Sequence, residues 1–158
     1  MTDEKSLKQA KAVYGALCEM LNDRGWRYDK DEAGLSISCS AQGDDLPIEL
    51  HIRVDTQRNL VSLLSPMPFT VAPNRRDALA LAVSRANNGM VDGSFDYDYV
   101  NGRIVFRMTS SYLESLIGKN MFEYMLMCAC YTIDEYNDKF LVVAKNEMSF
   151  AEIANYIK

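Results

Sequence analysis

The side chains able to do chemistry in this chain are few and widely spaced. Its cysteines are Cys18, Cys39, Cys128 and Cys130, and its one histidine is His51. A nucleophile needs a base within reach, and a zinc site needs cysteines and histidines at short, repeated spacings. Neither pattern is present. Cys128 and Cys130 share a helical segment, where residues two apart point to different faces and cannot readily grip one ion. His51 sits between Glu49 and Arg53 on the polar side of an alternating run. Asp92, Asp96 and Asp98 around Gly93 have the acidic density of a calcium loop. Strand geometry, however, puts Asp96 and Asp98 on one face about 7 Å apart. The bidentate glutamate that a calcium loop needs is missing at the expected spacing. Arg75-Arg76 could meet a phosphate near a helix start, but a solvated helix end accounts for them as well. The residues therefore name no catalytic group, no metal site and no cofactor, and the expectation is a protein that is not an enzyme.

Composition narrows the class further. The 158 residues, 48% hydrophobic and 25% charged, suit a single soluble domain over residues 1–158. A net charge of −5 argues against nucleic acid or anionic membrane as the partner. No apolar run reaches the length of a membrane span, and Met1-Thr2-Asp3-Glu4-Lys5 does not read as a signal peptide. Four cysteines without a disulfide framework fit a reduced, cytoplasmic protein.

The elements that must position these groups follow from periodicity. Asn101-Gly102 between two alternating runs predicts a hairpin with a two-residue type I′ turn. That register sets Tyr99 against Ile104, Tyr97 against Phe106 and Phe95 against Met108, one aromatic face, with Asp96 opposite Arg107 on the other. Leu35, Ile37, Cys39 and Ala41 alternate with Ser36, Ser38 and Ser40. Leu46 to Val54 alternates likewise, with Glu49, His51, Arg53 and Asp55 outward, and Leu60–Ser65 adds a further strand. Three prolines in Ser65–Pro73 predict a connector without a regular ladder.

Helices are expected at residues 4–24, ending at Gly25, and after Asn74, which can cap a helix carrying Asp77 in its first turn. Ser149-Phe150-Ala151-Glu152 is a capping box opening a short last helix. The longest helical stretch is Lys119–Ala144, with a seam of Phe122, Leu126, Ala129, Ile133, Tyr136, Phe140 and Val143. Its first half carries a second apolar stripe, Met121, Tyr124, Cys128 and Tyr131. A helix apolar on two faces must be covered on two faces. Cover from the N-terminal helix is the simpler expectation, and a second subunit is the other. Those four residues are the candidate interface.

The order is helix, antiparallel strands, helix, hairpin, long helix, short helix: an α+β layout with helices on one face of an antiparallel sheet. On Arg24-Gly25-Trp26, Ser65-Pro66-Met67-Pro68-Phe69, Ala86-Asn87, Gly93-Ser94-Phe95-Asp96 and Cys130-Tyr131-Thr132-Ile133-Asp134 with Tyr136, the chain resembles the YbjN-type family of bacterial sensory transduction regulators. The likeness runs from about Leu21 to Phe140. The family is similar in fold to type III secretion chaperones, small acidic dimers that bind extended segments of partner proteins. The resemblance brings no catalytic residues. It implies a protein-binding or regulatory module, a homodimer with a protein partner. The alternative carried beside it is a small-ligand or metal-sensing domain.

Overall fold

The structure is a computed structural model and describes residues 3–158. Asp3 opens the first helix, α1 (Glu4–Asp23), by accepting the Ser6 N–H on its carboxylate at 2.6 Å. The helix closes in a Schellman turn: Gly25, at φ +71°, donates to Asn22, and Trp26 donates to Leu21 at 2.9 Å. Ala10, Val13, Leu17 and Leu21 bury one face of it. Leu7, three residues before Ala10 on the same side of the helix, stays 39% exposed.

Six strands follow the period-two pattern. They are β1 (Tyr28–Asp31), β2 (Ser36–Gln42), β3 (Pro47–Asp55), β4 (Leu60–Pro66), β5 (Ser94–Asp98) and β6 (Arg103–Ser111). All pair antiparallel in the order β1-β2-β3-β4-β6-β5. Ile37, Ile48, Leu50, Ile52, Val54, Val61 and Leu63 are buried on one face, while Glu49, His51 and Arg53 are exposed on the other. This is the alternation of a sheet packed on one side only. The α+β layout expected from the sequence is therefore the fold.

The helices complete the covered side. A single 3₁₀ turn (Pro73–Arg75) leads into α2 (Arg76–Asn87), and α3 (Lys119–Lys145) and α4 (Phe150–Tyr156) end the chain. The whole seam of α3, from Phe122 to Val143, is buried. Phe95 of β5 meets Phe106, Tyr136 and Phe140 edge-on, with ring centroids 5.4, 5.8 and 4.9 Å away. These edge-to-face contacts join the hairpin to α3, as its aromatic face requires. The Ser149 hydroxyl accepts the Glu152 N–H at 3.1 Å and starts α4.

Three local expectations are corrected. The hairpin loop has four residues, not two: Asp98 pairs with Arg103, Tyr97 with Ile104 and Phe95 with Phe106. Only Gly102 takes positive φ, at +71°. The Asp98 carboxylate accepts from the Val100 and Asn101 N–H groups at 3.1 Å and from the Asn101 amide at 2.7 Å, which favours the longer turn. A shift of two residues keeps Phe95, Tyr97, Ile104 and Phe106 on one face. Tyr99, however, expected opposite Ile104, lies in the loop and is 52% exposed, and Asp96 sits opposite Val105 and meets Arg107 diagonally. Second, Asn74 lies in the 3₁₀ turn and Arg75 holds the N-cap position, with no side-chain cap bond. Third, the ladder continues through Pro66, which pairs with Val105, and Met67 still donates to Ile104 at 2.9 Å.

Candidate functional site

The histidine, the aspartates and the arginine doublet singled out for chemistry each have a structural partner, and the cysteines stand apart as free thiols. His51 lies exposed on the open sheet face, its Nδ1 3.0 Å from the Ser38 hydroxyl and its Nε2 3.9 Å from Glu49. The three residue types are those of a hydrolase triad, but the setting is not. Ser38 and His51 face each other across the paired β2 and β3, whose backbone N–H groups are engaged in the ladder. No oxyanion-stabilising pair of free donors is offered there. Burial pushes the Cys39 and Cys130 thiols up to about 11, away from the reactive thiolate.

The three aspartates divide in the same way. Asp96 takes the Arg107 guanidinium in a two-point pair, Nε at 2.6 Å and a terminal nitrogen at 3.2 Å. Asp98 holds the hairpin turn. Asp92 accepts the Tyr124 hydroxyl. Among the described residues no group of three carboxylate, thiol or imidazole side chains is arranged to hold a metal ion. The arginine doublet is equally structural. Arg75 donates twice to the Val143 carbonyl, at 2.7 and 3.2 Å, and Arg76 donates to the carbonyls of Val71 and Val100.

The second stripe of α3 does not go where the simpler expectation put it. Met121, Tyr124 and Tyr131 are exposed and Cys128 is half-buried. They lie opposite the buried seam, and α1 packs on another flank of α3. Tyr131 is 74% exposed and Tyr124 48%. Met127, three residues from Tyr124 and four from Tyr131, is 57% exposed and joins the stripe. Its helical spacing from both tyrosines is the signal that sets it on this face. Met67 and Met125 are buried, as core methionines. Val91, in the α2–β5 loop, extends the patch: it lines a shallow hollow of about 300 Å³ with Met90, Tyr124 and Cys128, edged by Asp92 and Glu135. The Asp92 carboxylate, accepting the Tyr124 hydroxyl, pushes that phenol up to about 12.

The short motifs turn out to be joints. Arg24 pairs with Glu123 and ties the end of α1 to α3. Gly93, at φ +77°, has no room for a Cβ, which would run into the Phe106 ring. Asn87 binds the outer edge of β5 at Phe95. Asp134 accepts the Asp44 N–H at 2.8 Å and fastens the β2–β3 turn to α3, and Tyr136 donates to the Lys158 carbonyl at 3.0 Å. A family profile described as "YbjN: Putative bacterial sensory transduction regulator" matches residues 15–141. The chain belongs to the YbjN family. Solved structures agree with this at the level of fold. The crystal structure of YbjN from E. coli superposes with a TM-score of 0.56 at 14% identity, covering 77% of this chain and 86% of that one. The HopA1–SchA chaperone–effector complex aligns at 0.51 and 12%, covering 83% and 94%. The ExsC–ExsE complex aligns at 0.52 and 13%, covering 78% and 92%. No curated protein matches the sequence. No helix among the described residues is long and apolar enough to cross a membrane. The fold is thus similar to that found in a chaperone–effector complex and in the ExsC–ExsE complex.

Proposed function

We propose that this YbjN-family chain is a non-enzymatic regulatory module of the cytoplasm that works by binding protein, and that it does so as a homodimer built on the outer face of α3. The observation that carries this is the stripe Met121, Tyr124, Met127, Cys128 and Tyr131, an apolar face turned to solvent opposite a fully formed core seam. A contiguous exposed apolar patch with a polar rim is the usual mark of a protein contact. Tyrosine and methionine are enriched at the centres of such contacts. A two-fold arrangement of one helix face against its own copy needs no second complementary surface, which makes a symmetric dimer the economical occupant. The fold supports the wider reading, since it is found in a chaperone–effector complex and in a second two-protein complex. The partner bound by the dimer is a protein.

The test is mass in solution, by light scattering after size exclusion, with circular dichroism as the control for folding. The native chain is expected at twice its 17.9 kDa. Tyr124→Glu with Tyr131→Glu is expected at the monomer mass with an unchanged spectrum. A monomeric native chain, or a variant that remains a dimer, sinks the reading.

A further inference from the structure

Asparagine is a chemically labile residue, and a glycine after it exposes its side-chain amide to the next backbone nitrogen, because no Cβ shields that nitrogen. The chain has two such steps, Asn88-Gly89 and Asn101-Gly102. The fold treats them in opposite ways. The hairpin step is locked. Gly102 is buried, its N–H donates to the Asp98 carbonyl at 2.7 Å, and its carbonyl accepts the Val71 N–H at 2.8 Å. The Asn101 side-chain amide donates to the Asp98 carboxylate at 2.7 Å, and the Asn101 N–H donates to it at 3.1 Å. Turning that amide toward the Gly102 nitrogen breaks its bond, and the nitrogen is itself committed.

The step after α2 is open. Asn88 is extended, at ψ 114°, and its N–H makes the closing bond of the helix, to the Ser84 carbonyl at 3.2 Å. Gly89, at φ +92°, is therefore outside the helical ladder, and its N–H has no acceptor among the described residues. The Asn88 side chain has no hydrogen-bond partner among them either, unlike Asn87, whose amide is held at both ends by Phe95. Asn88 and Gly89 are exposed, and no atom beyond the chain neighbours lies within 4 Å of where a Gly89 Cβ would stand.

We propose that Asn88 is a site of spontaneous modification, converted through a succinimide to aspartate and isoaspartate, while the fold spares Asn101. A base takes the proton of the Gly89 N–H, and that nitrogen attacks the side-chain carbonyl carbon of Asn88, already its near neighbour along the chain. A carbon–nitrogen bond forms, and the side-chain nitrogen takes up a proton and leaves as ammonia. Water then opens the ring at either carbonyl. A carboxylate is gained where an amide stood, so the net charge goes from −5 to −6. The isoaspartyl product also lengthens the backbone by a carbon at the joint between α2 and β5. Asn88 lines the hollow shared by Val91, Tyr124 and Cys128, so the new charge joins Asp92 and Glu135 at the edge of the α3 stripe.

The chemistry does not depend on what covers α3, and it is followed on dilute chain so that its outcome stands apart from the dimer. The full chain is incubated warm in slightly alkaline buffer, and ion exchange with peptide mapping by mass spectrometry reads each asparagine. An acidic species heavier by about 1 Da, with the change at Asn88, is expected to accumulate with time. Asn101 should convert at least about tenfold more slowly, because its turn must first open. In concentrated urea that protection is gone, and the two steps should react at similar rates. Asn88→Gln alters an exposed side chain with no bond to lose, so it should keep the native spectrum and form no early acidic species. The proposal is overturned if Asn88 survives in the folded chain while it converts in urea. Asn101 keeping pace with Asn88 in the folded chain overturns it too, as does the same acidic species arising from Asn88→Gln.

Discussion

Asn87, the last residue of α2, substitutes for a neighbouring strand at Phe95: its Nδ2 donates to the Phe95 carbonyl at 2.9 Å and its Oδ1 accepts the Phe95 N–H at 2.8 Å. β5 is an edge of the sheet, and an edge with free backbone groups invites pairing with another chain. Asn87→Ala leaves both groups without a partner in a half-buried position. Urea unfolding should show a loss of about 1–3 kcal/mol. Light scattering should show faster aggregation on warming. Asn87→Asp keeps the acceptor but sets a carboxylate oxygen against the Phe95 carbonyl, so it should not rescue the loss.

Arg75 performs the same service at the far end of α3, where the Val143 carbonyl belongs to the last turn and has no helical donor of its own. Arg75→Met keeps the aliphatic stem and removes the guanidinium. A loss of about 1.5–3 kcal/mol is expected, the range for a bond to a charged group. Hydrogen exchange should quicken first at the residues after Phe140.

Two aspartates at strand ends make stability depend on pH in a set direction. The Arg58 N–H, with the Gln57 N–H and the Arg58 guanidinium, holds the Asp55 carboxyl below its ordinary range. The Asn101 side-chain amide, then the backbone N–H groups of Asn101 and Val100, does the same for Asp98. A carboxyl with a depressed folded value contributes stability above its unfolded value of about 3.9 and loses it as pH falls through the folded one. The double variant Asp55→Asn, Asp98→Asn should melt below the native chain at neutral pH. That gap should close in the acid range below about pH 4, as read by melting temperature against pH.

The two glycines with opposite surroundings should respond with opposite signs. Gly93→Ala drives a Cβ into the Phe106 ring at a positive φ and is expected to cost about 2–4 kcal/mol. Gly15→Ala enters open space in α1 and should add about 0.5–1 kcal/mol. Equilibrium unfolding of both in one denaturant series checks the pair.

Much of the fold is local and could be read from residue order. The alternation of Leu35–Ala41 and Leu46–Val54 determined which strand faces are buried, because a pleated strand repeats every two residues. Gly25 and the Ser149–Glu152 box determined helix ends, because capping bonds span only a few residues. The seam of α3 was equally legible. What no local pattern contained is which groups meet across long separations. Asn101-Gly102 signalled a turn, yet the Asp98 carboxylate decided its length. Arg75 and Arg76 resembled a free basic pair until Val143, Val71 and Val100 offered them carbonyls. Tyr124, Met127 and Tyr131 have the composition of a core face, and only the placement of α1 and α2 along other flanks of α3 left them in solvent. Periodicity reports which side chains share a face; it holds no information on whether another element arrives to cover it.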